Sequence, residues 1–228
     1  MTTLAAPPPP SPVAEPAAKP RHETFADWWE SAGRVPLDRV VFTPAPGTVT
    51  LEQYEAIDGR VNGRPVELVN STLVEKAVAR YESELAAVVS GLLFIYKRET
   101  KARGKLSGEQ GMIRMTGANV RMPDVCWTAH EDVRDPDREQ AAPLEPPTLA
   151  VEVVSESNTA AEIRLKLEEF FASGCRLAWV LYPKTKTVRV HANPRSIDSF
   201  TQLGPDDTLT GGEVLPGFEV KVSDLFDV

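Results

Sequence analysis

The run Leu149-Ala150-Val151-Glu152-Val153-Val154 is apolar at every position but one. Unbroken apolar sequence of this length, rich in β-branched residues, suits a strand covered on both faces. A carboxylate inside it must be paired, protonated or bound to a cation, because burying it alone costs several kcal/mol. Glu152 therefore needs a partner. A second acid, Asp124, opens another strand-like run, Asp124-Val125-Cys126-Trp127-Thr128-Ala129. Alternation there puts Val125 and Trp127 on one face, and Asp124, Cys126 and Thr128 on the other.

The segments around these two runs carry their own signals. Thr159-Ala160-Ala161-Glu162 has the form of a capping box, so a helix is expected from about Ala160, with Ile163, Leu167, Phe170 and Phe171 as its apolar stripe and Gly174 at its end. Lys166 sits at the margin of that stripe. Arg176 to Leu181 is expected to be a buried strand, with Thr187 to His191 as its hairpin partner. Further upstream, Pro65 to Val69 and Thr72 to Lys76 flank Asn70-Ser71 as a hairpin would. A long helix is expected from Val78 to Lys101, its stripe formed by Tyr81, Leu85, Val88, Val89, Leu92, Leu93 and Tyr96. Glu82 and Glu84 flank the start of that stripe. Two short strands are expected at Lys105 to Glu109 and Gly111 to Met115, and a long charged loop from Glu131 to Pro147.

The chain divides into three parts on this pattern. Residues 1–22 are an Ala/Pro-rich tail that cannot bury enough apolar surface to order itself. Residues 23–64 form a helical extension, with Phe25, Trp28 and Trp29 at helical spacing behind Thr24 and a second short helix at Thr50 to Tyr54. Residues 65–228 make up the main α/β domain.

Composition excludes several functions. The net charge of -8 over 228 residues lacks the basic excess of a general nucleic-acid binder, so any attraction for phosphate must be local. No apolar run is long enough to cross a bilayer, and no secretory leader is evident, which makes the cytoplasm the expected compartment. Cys126 and Cys175 are far apart without metal-ligand spacing and are expected to be buried free thiols. The three histidines have no neighbouring nucleophile motif, and phosphate-cradling glycine loops are absent.

What remains is acidic. Asp124 and Glu152 offer hard oxygen ligands of the kind magnesium or manganese takes together with substrate phosphate. Lys166 could orient a water or stabilise charge on the phosphate. Each has a plainer alternative: a solvated strand-start Asp124, a Glu152 paired with Arg or Lys, and a Lys166 in an i,i+4 pair with Glu162.

From Glu67 to Phe226 the sequence resembles the Uma-two family of restriction-endonuclease-type proteins, a branch of the PD-(D/E)XK nuclease superfamily. The resemblance rests on Glu67-Leu68-Val69 with Leu73-Val74-Glu75-Lys76, on Arg121-Met122-Pro123-Asp124-Val125, on Val151-Glu152-Val153-Val154-Ser155 leading to Lys166, and on Gly174 to Val180 and Leu215-Pro216-Gly217-Phe218. It implies a restriction-endonuclease-like α/β core, a mixed β-sheet flanked by helices, with Asp124 and Glu152 as metal ligands for Mg2+ or Mn2+. It further implies a contribution from Glu82 on the first core helix, DNA as substrate, and a homodimer. One departure stands out, because Val154 occupies the position where the superfamily usually has its lysine. The lysine role would pass to Lys166, reaching in from the following helix, and would be lost if Lys166 only paired with Glu162. The resulting expectation is a metal-dependent endonuclease, with a catalytically silent binding or assembly module of the same fold as its rival.

Overall fold

The structure, a computed structural model, describes residues 24–77, 79–133 and 146–227. The tail at 1–22 and most of the 131–147 loop lie outside the described residues. Two short helices, α1 (Phe25–Ser31) and α2 (Leu51–Ala56), lead into β1 (Arg60–Val61), β2 (Arg64–Val69) and β3 (Thr72–Glu75), followed by the long helix α3 (Arg80–Thr100). Strands β4 (Gly104–Gly108), β5 (Ile113–Arg114), β6 (Val120–Arg121), β7 (Val125–Ala129) and β8 (Leu149–Val153) precede α4 (Ala160–Ser173). The chain continues through β9 (Leu177–Tyr182), β10 (Thr187–His191), β11 (Thr201–Leu203), β12 (Thr208–Gly211), β13 (Leu215–Lys221) and α5 (Val222–Leu225).

Local chemistry sets these boundaries. Thr24 and Thr50 each accept the N–H three residues on, from Asp27 and Gln53, whose side chains return the bond, so both short helices start on full capping boxes. Asn70 and Ser71 have φ of 47° and 60°, the primed turn that matches strand twist in a tight hairpin. Gly174 takes φ 113° and ends α4. The capping box expected at Thr159 is only half formed. Thr159 accepts from the Glu162 N–H, but the Glu162 carboxylate turns away to Arg39 and Asn158.

The mixed sheet has six strands in the order β11-β10-β9-β8-β7-β4, and only β8 and β9 run parallel, joined by α4 as the crossover. Its two faces are distinct. Val125, Trp127, Val151, Val153, Trp179 and Leu181 pack with Leu85, Val89 and Leu93 of α3 and with the β13–α5 end of the chain. Cys126, Ala150 and Ala178 lie in one cross-strand row on the opposite face, small enough to admit Phe170 and Phe171 of α4. Each large aliphatic side chain buried on these faces contributes about 1.5–3 kcal/mol. Both cysteines are buried and free.

A second sheet, order β1-β2-β6-β5 with β3 on the other side of β2, is antiparallel throughout. One face carries Val66, Leu68 and Val120 against Tyr54 of α2. Alternation turns Glu67 and Arg121 to the other face, toward α4, which is thereby held between two sheets. β12 and β13 form a separate pair. The short strands β1 and β6 escape sequence reading because two residues show no period.

The 23–64 segment is tied to α4 at its first turn. Gly33 has φ +77°, and a Cβ there would stand 2.8 Å from Glu162 Cα and 3.0 Å from Ala161 O. Its carbonyl accepts the Thr159 hydroxyl at 2.7 Å. Gly33→Ala is therefore expected to lower the free energy of unfolding by about 1–3 kcal/mol, measured by urea denaturation.

Candidate active site

The pairing of β7 with β8 ends at Val125, and the chain before it carries Pro123, which has no N–H to donate. Asp124 lies between them. Its N–H donates to Val151 O at 3.1 Å, and its Oδ2 accepts the Val153 N–H at 2.7 Å, where a continuing ladder would have placed a carbonyl. The β8 alternation that sends Val151 and Val153 toward α3 sends Glu152 toward α4. There Lys166 Nζ donates to Glu152 Oε2 at 2.9 Å and lies 3.4 Å from Glu67 Oε1 on β2. The three acids and Lys166 are thus drawn from both sheets and the helix between them.

Two further groups complete the cluster. Lys76, just past β3, places Nζ 2.8 Å from Asp124 Oδ1 and donates to Glu109 O at 2.8 Å. Arg121 on β6 donates to Glu67 Oε2 at 3.0 Å and also to Glu169 of α4. The side chains are nearly closed to solvent: Lys76 is 3% exposed, Glu152 5%, and Asp124 the most open at 10%. Two atoms of this network are buried without a hydrogen-bond partner among the described residues, Arg121 Nη2, a donor, and Glu152 Oε1, an acceptor.

Charge balance decides the protonation states. Burial, opposed by the Lys166 ammonium but reinforced by the Asp124 and Glu67 charges, pushes the Glu152 carboxyl up to about 7. Burial alone would lower Lys166, but Glu152 and Glu67, with Glu162 and Asp124 behind them, hold it well above the usual lysine range. Lys166 is therefore an ammonium, able to neutralise charge and to donate hydrogen bonds, not a base. At Glu67 burial works upward, yet Lys166, Arg121 and the Met122 N–H prevail and hold its carboxyl at about 2.

The plain alternative for Lys166, an i,i+4 pair with Glu162, is not what forms. Arg39 takes both Glu162 oxygens, at 2.8 and 2.9 Å, and Asn158 shares one of them. Lys166 is left to Glu152 and Glu67. The alternative for Asp124, a solvated strand start, is likewise replaced by a buried contact with Lys76. Glu82, in the first turn of α3, lines a cleft of ≈ 800 Å³ with Ser155, Asn158, Tyr182 and Lys184 just beyond the end of β8.

Sequence reading did not single out Glu67, Lys76, Arg121 or Arg39 as members of the site. Glu67 offered the same signal as Glu152, a carboxylate inside the apolar run Val66 to Val69. On α4, Glu162, Lys166, Glu169 and Ser173 recur at i, i+4, i+7 and i+11, a polar stripe at helical spacing. Arg39 and Lys76 gave no comparable cue, because a single cation near a strand end is ordinary surface sequence. Among the described residues no group of three or more His, Cys, Asp or Glu side chains is arranged to hold a metal by itself. Any cation would have to share the cluster with its lysines.

Because the folded-state pKa of Glu67 lies below its ordinary value of 4.5, its stabilisation is present above pH 4.5 and is lost as the pH falls toward 2. Glu67→Gln is expected to cost about 3 kcal/mol at pH 7. In urea denaturation the gap from wild type should narrow at pH 3.

Comparison with known proteins agrees with this architecture. The Uma2 family model, described as "Putative restriction endonuclease", matches residues 51–223. The fold matches a crystal structure of a putative nuclease of the DUF820 group from Anabaena variabilis with a TM-score of 0.66 and 14% sequence identity, covering 78% of this chain and 97% of that one. No curated protein matches the chain in sequence.

Proposed function

The chain belongs to the Uma2 restriction-endonuclease family, and from that premise we propose that it is a divalent-metal-dependent endonuclease that hydrolyses DNA phosphodiester bonds. The observation that carries this reading is the buried Glu152 Oε1, which has no hydrogen-bond partner among the described residues while Oε2 accepts from the Lys166 ammonium. An orphaned carboxylate oxygen in a buried site costs free energy that a cation would recover. Its donor type fits magnesium or manganese, which prefer carboxylate oxygens. Glu152 and Asp124 would hold the ion, which would supply charge for the phosphate and activation of a water.

The chain's own residues supply the remainder. Lys166, kept charged by Glu152 and Glu67, stands where it can offset negative charge developing on a phosphate, the task left open by Val154 at the usual lysine position. Glu67, bound by Arg121 and the Met122 N–H, fixes Lys166 from behind. The cleft beyond β8 offers the approach for substrate, and Glu82 would act from that side. With a net charge of -8, attraction for DNA must come from this local arrangement and the bound ion. A homodimer belongs to the same proposal: α3 presents Phe94 and Ile95 to solvent, each 52% exposed.

A second reading has its own observation. Asp124 is paired with Lys76, Glu152 with Lys166, and Glu67 with Arg121, which Glu169 shares, so most of the negative charge of the cluster is already compensated internally. A catalytically silent module of this fold would look the same. Nicking of supercoiled plasmid separates the two. Cleavage is expected with Mg2+ and not with EDTA, falling at least about 100-fold in Asp124→Ala, Glu152→Ala and Lys166→Met, the loss typical of a removed electrostatic contact. Circular dichroism checks that each variant is folded. Undiminished cleavage by folded Asp124→Ala and Glu152→Ala would rule the endonuclease reading out, and absence of manganese binding at millimolar concentration would favour the silent module.

A further inference from the structure

We infer that Lys76 is an internal competitor for the metal ion, a positioning residue that holds Asp124 when no cation is bound and so sets the affinity of the site. The inference rests on the metal reading above and assigns a role to a side chain outside the Asp124, Glu152 and Lys166 set.

The two oxygens of Asp124 are not equivalent. Oδ2 is committed to the Val153 N–H at 2.7 Å, a bond that ties Asp124 to the backbone of β8. Oδ1 is the oxygen left for a cation, and Lys76 Nζ already sits 2.8 Å from it. Glu152 is arranged differently. Lys166 takes Oε2, and Oε1 stays open. A divalent ion can therefore join Glu152 beside its lysine, but it meets a positive charge already in place at Asp124.

Lys76 is also held from behind. Its N–H donates to Pro65 O at 2.9 Å, and its ammonium donates to Glu109 O at 2.8 Å. Its side chain is 3% exposed and that of Asp124 10%, so little water screens an ion from the ammonium. Even if Oδ1 accepted both on separate lone pairs, ion and ammonium would stand in contact range with like charge. Glu109 O gives the ammonium a second partner to retain when the ion arrives, so displacement requires only a shift of Nζ away from Oδ1.

The experiment is calorimetric titration of MnCl2 into the full chain, wild type against Lys76→Gln, Lys76→Met and Lys76→Arg, with melting curves in EDTA to establish folding. Lys76→Gln and Lys76→Met are expected to bind manganese at least about tenfold more tightly than wild type, the difference expected when a desolvated like charge is removed. Lys76→Arg, which keeps the charge, is expected to show no such gain. Unchanged or weaker binding by folded Lys76→Gln and Lys76→Met, with wild type binding normally, overturns the role of Lys76 alone. Absence of binding in all four proteins overturns the metal reading with it. Should the two neutral variants be unfolded in EDTA, recovery of the melting transition on adding manganese supports the inference, and failure to recover overturns it.

Discussion

The structure depends on a helix that is buried on two sides. α4 lays Ile163, Leu167, Phe170 and Phe171 on the mixed sheet and turns Glu162, Lys166, Glu169 and Ser173 to the second sheet and the N-terminal segment. A buried polar stripe is tolerable only if every member is satisfied. Arg39 answers Glu162, Glu67 and Glu152 answer Lys166, Arg121 and Asn119 answer Glu169, and the Thr116 N–H answers Ser173. The second sheet is where most of these partners come from. Lys166 engages acids of both sheets at once, Glu67 and Glu152.

The mixed sheet was largely legible in the sequence because its strands and helices are long enough to show a period. The apolar run at 149–154, the alternation at 124–129 and the stripe of α4 predicted what formed, as did the stripe of α3 except at Tyr81, which is exposed on the cleft beyond β8. The second sheet was legible only in part: the β2–β3 hairpin and β5 lie where the sequence places them, but β1 and β6 are two residues each, and the presentation of Glu67 and Arg121 to α4 is a contact set by tertiary packing. The site divides along the same line. Asp124, Glu152 and Lys166 came from residue type and resemblance. Their true partners came from segments distant in sequence, and the local alternative, Glu162 for Lys166, lost to a bidentate guanidinium that local spacing does not reveal.

Compensation within the cluster bears on chemistry as well as on stability. A site whose acids are each paired with a cation can fold without metal, unlike a cage of bare carboxylates. The same matching means that an arriving ion must change the balance, and it can do so unequally. Glu152 has an unused oxygen, whereas Asp124 has none without disturbing Lys76. The two ligand candidates therefore differ in readiness, although sequence reading treats them as equivalent.

Arg39 carries one more consequence. The family match begins at residue 51, yet the guanidinium that neutralises Glu162 lies twelve residues earlier in the chain, and Gly33 abuts the backbone of the same helical turn. A fragment cut at the start of the match would leave the first turn of α4 with an unpaired carboxylate and an uncovered backbone. What recurs across relatives and what folds as a unit thus have different limits in this chain, and the helix bearing Lys166 is finished by residues that lie before the recurring part.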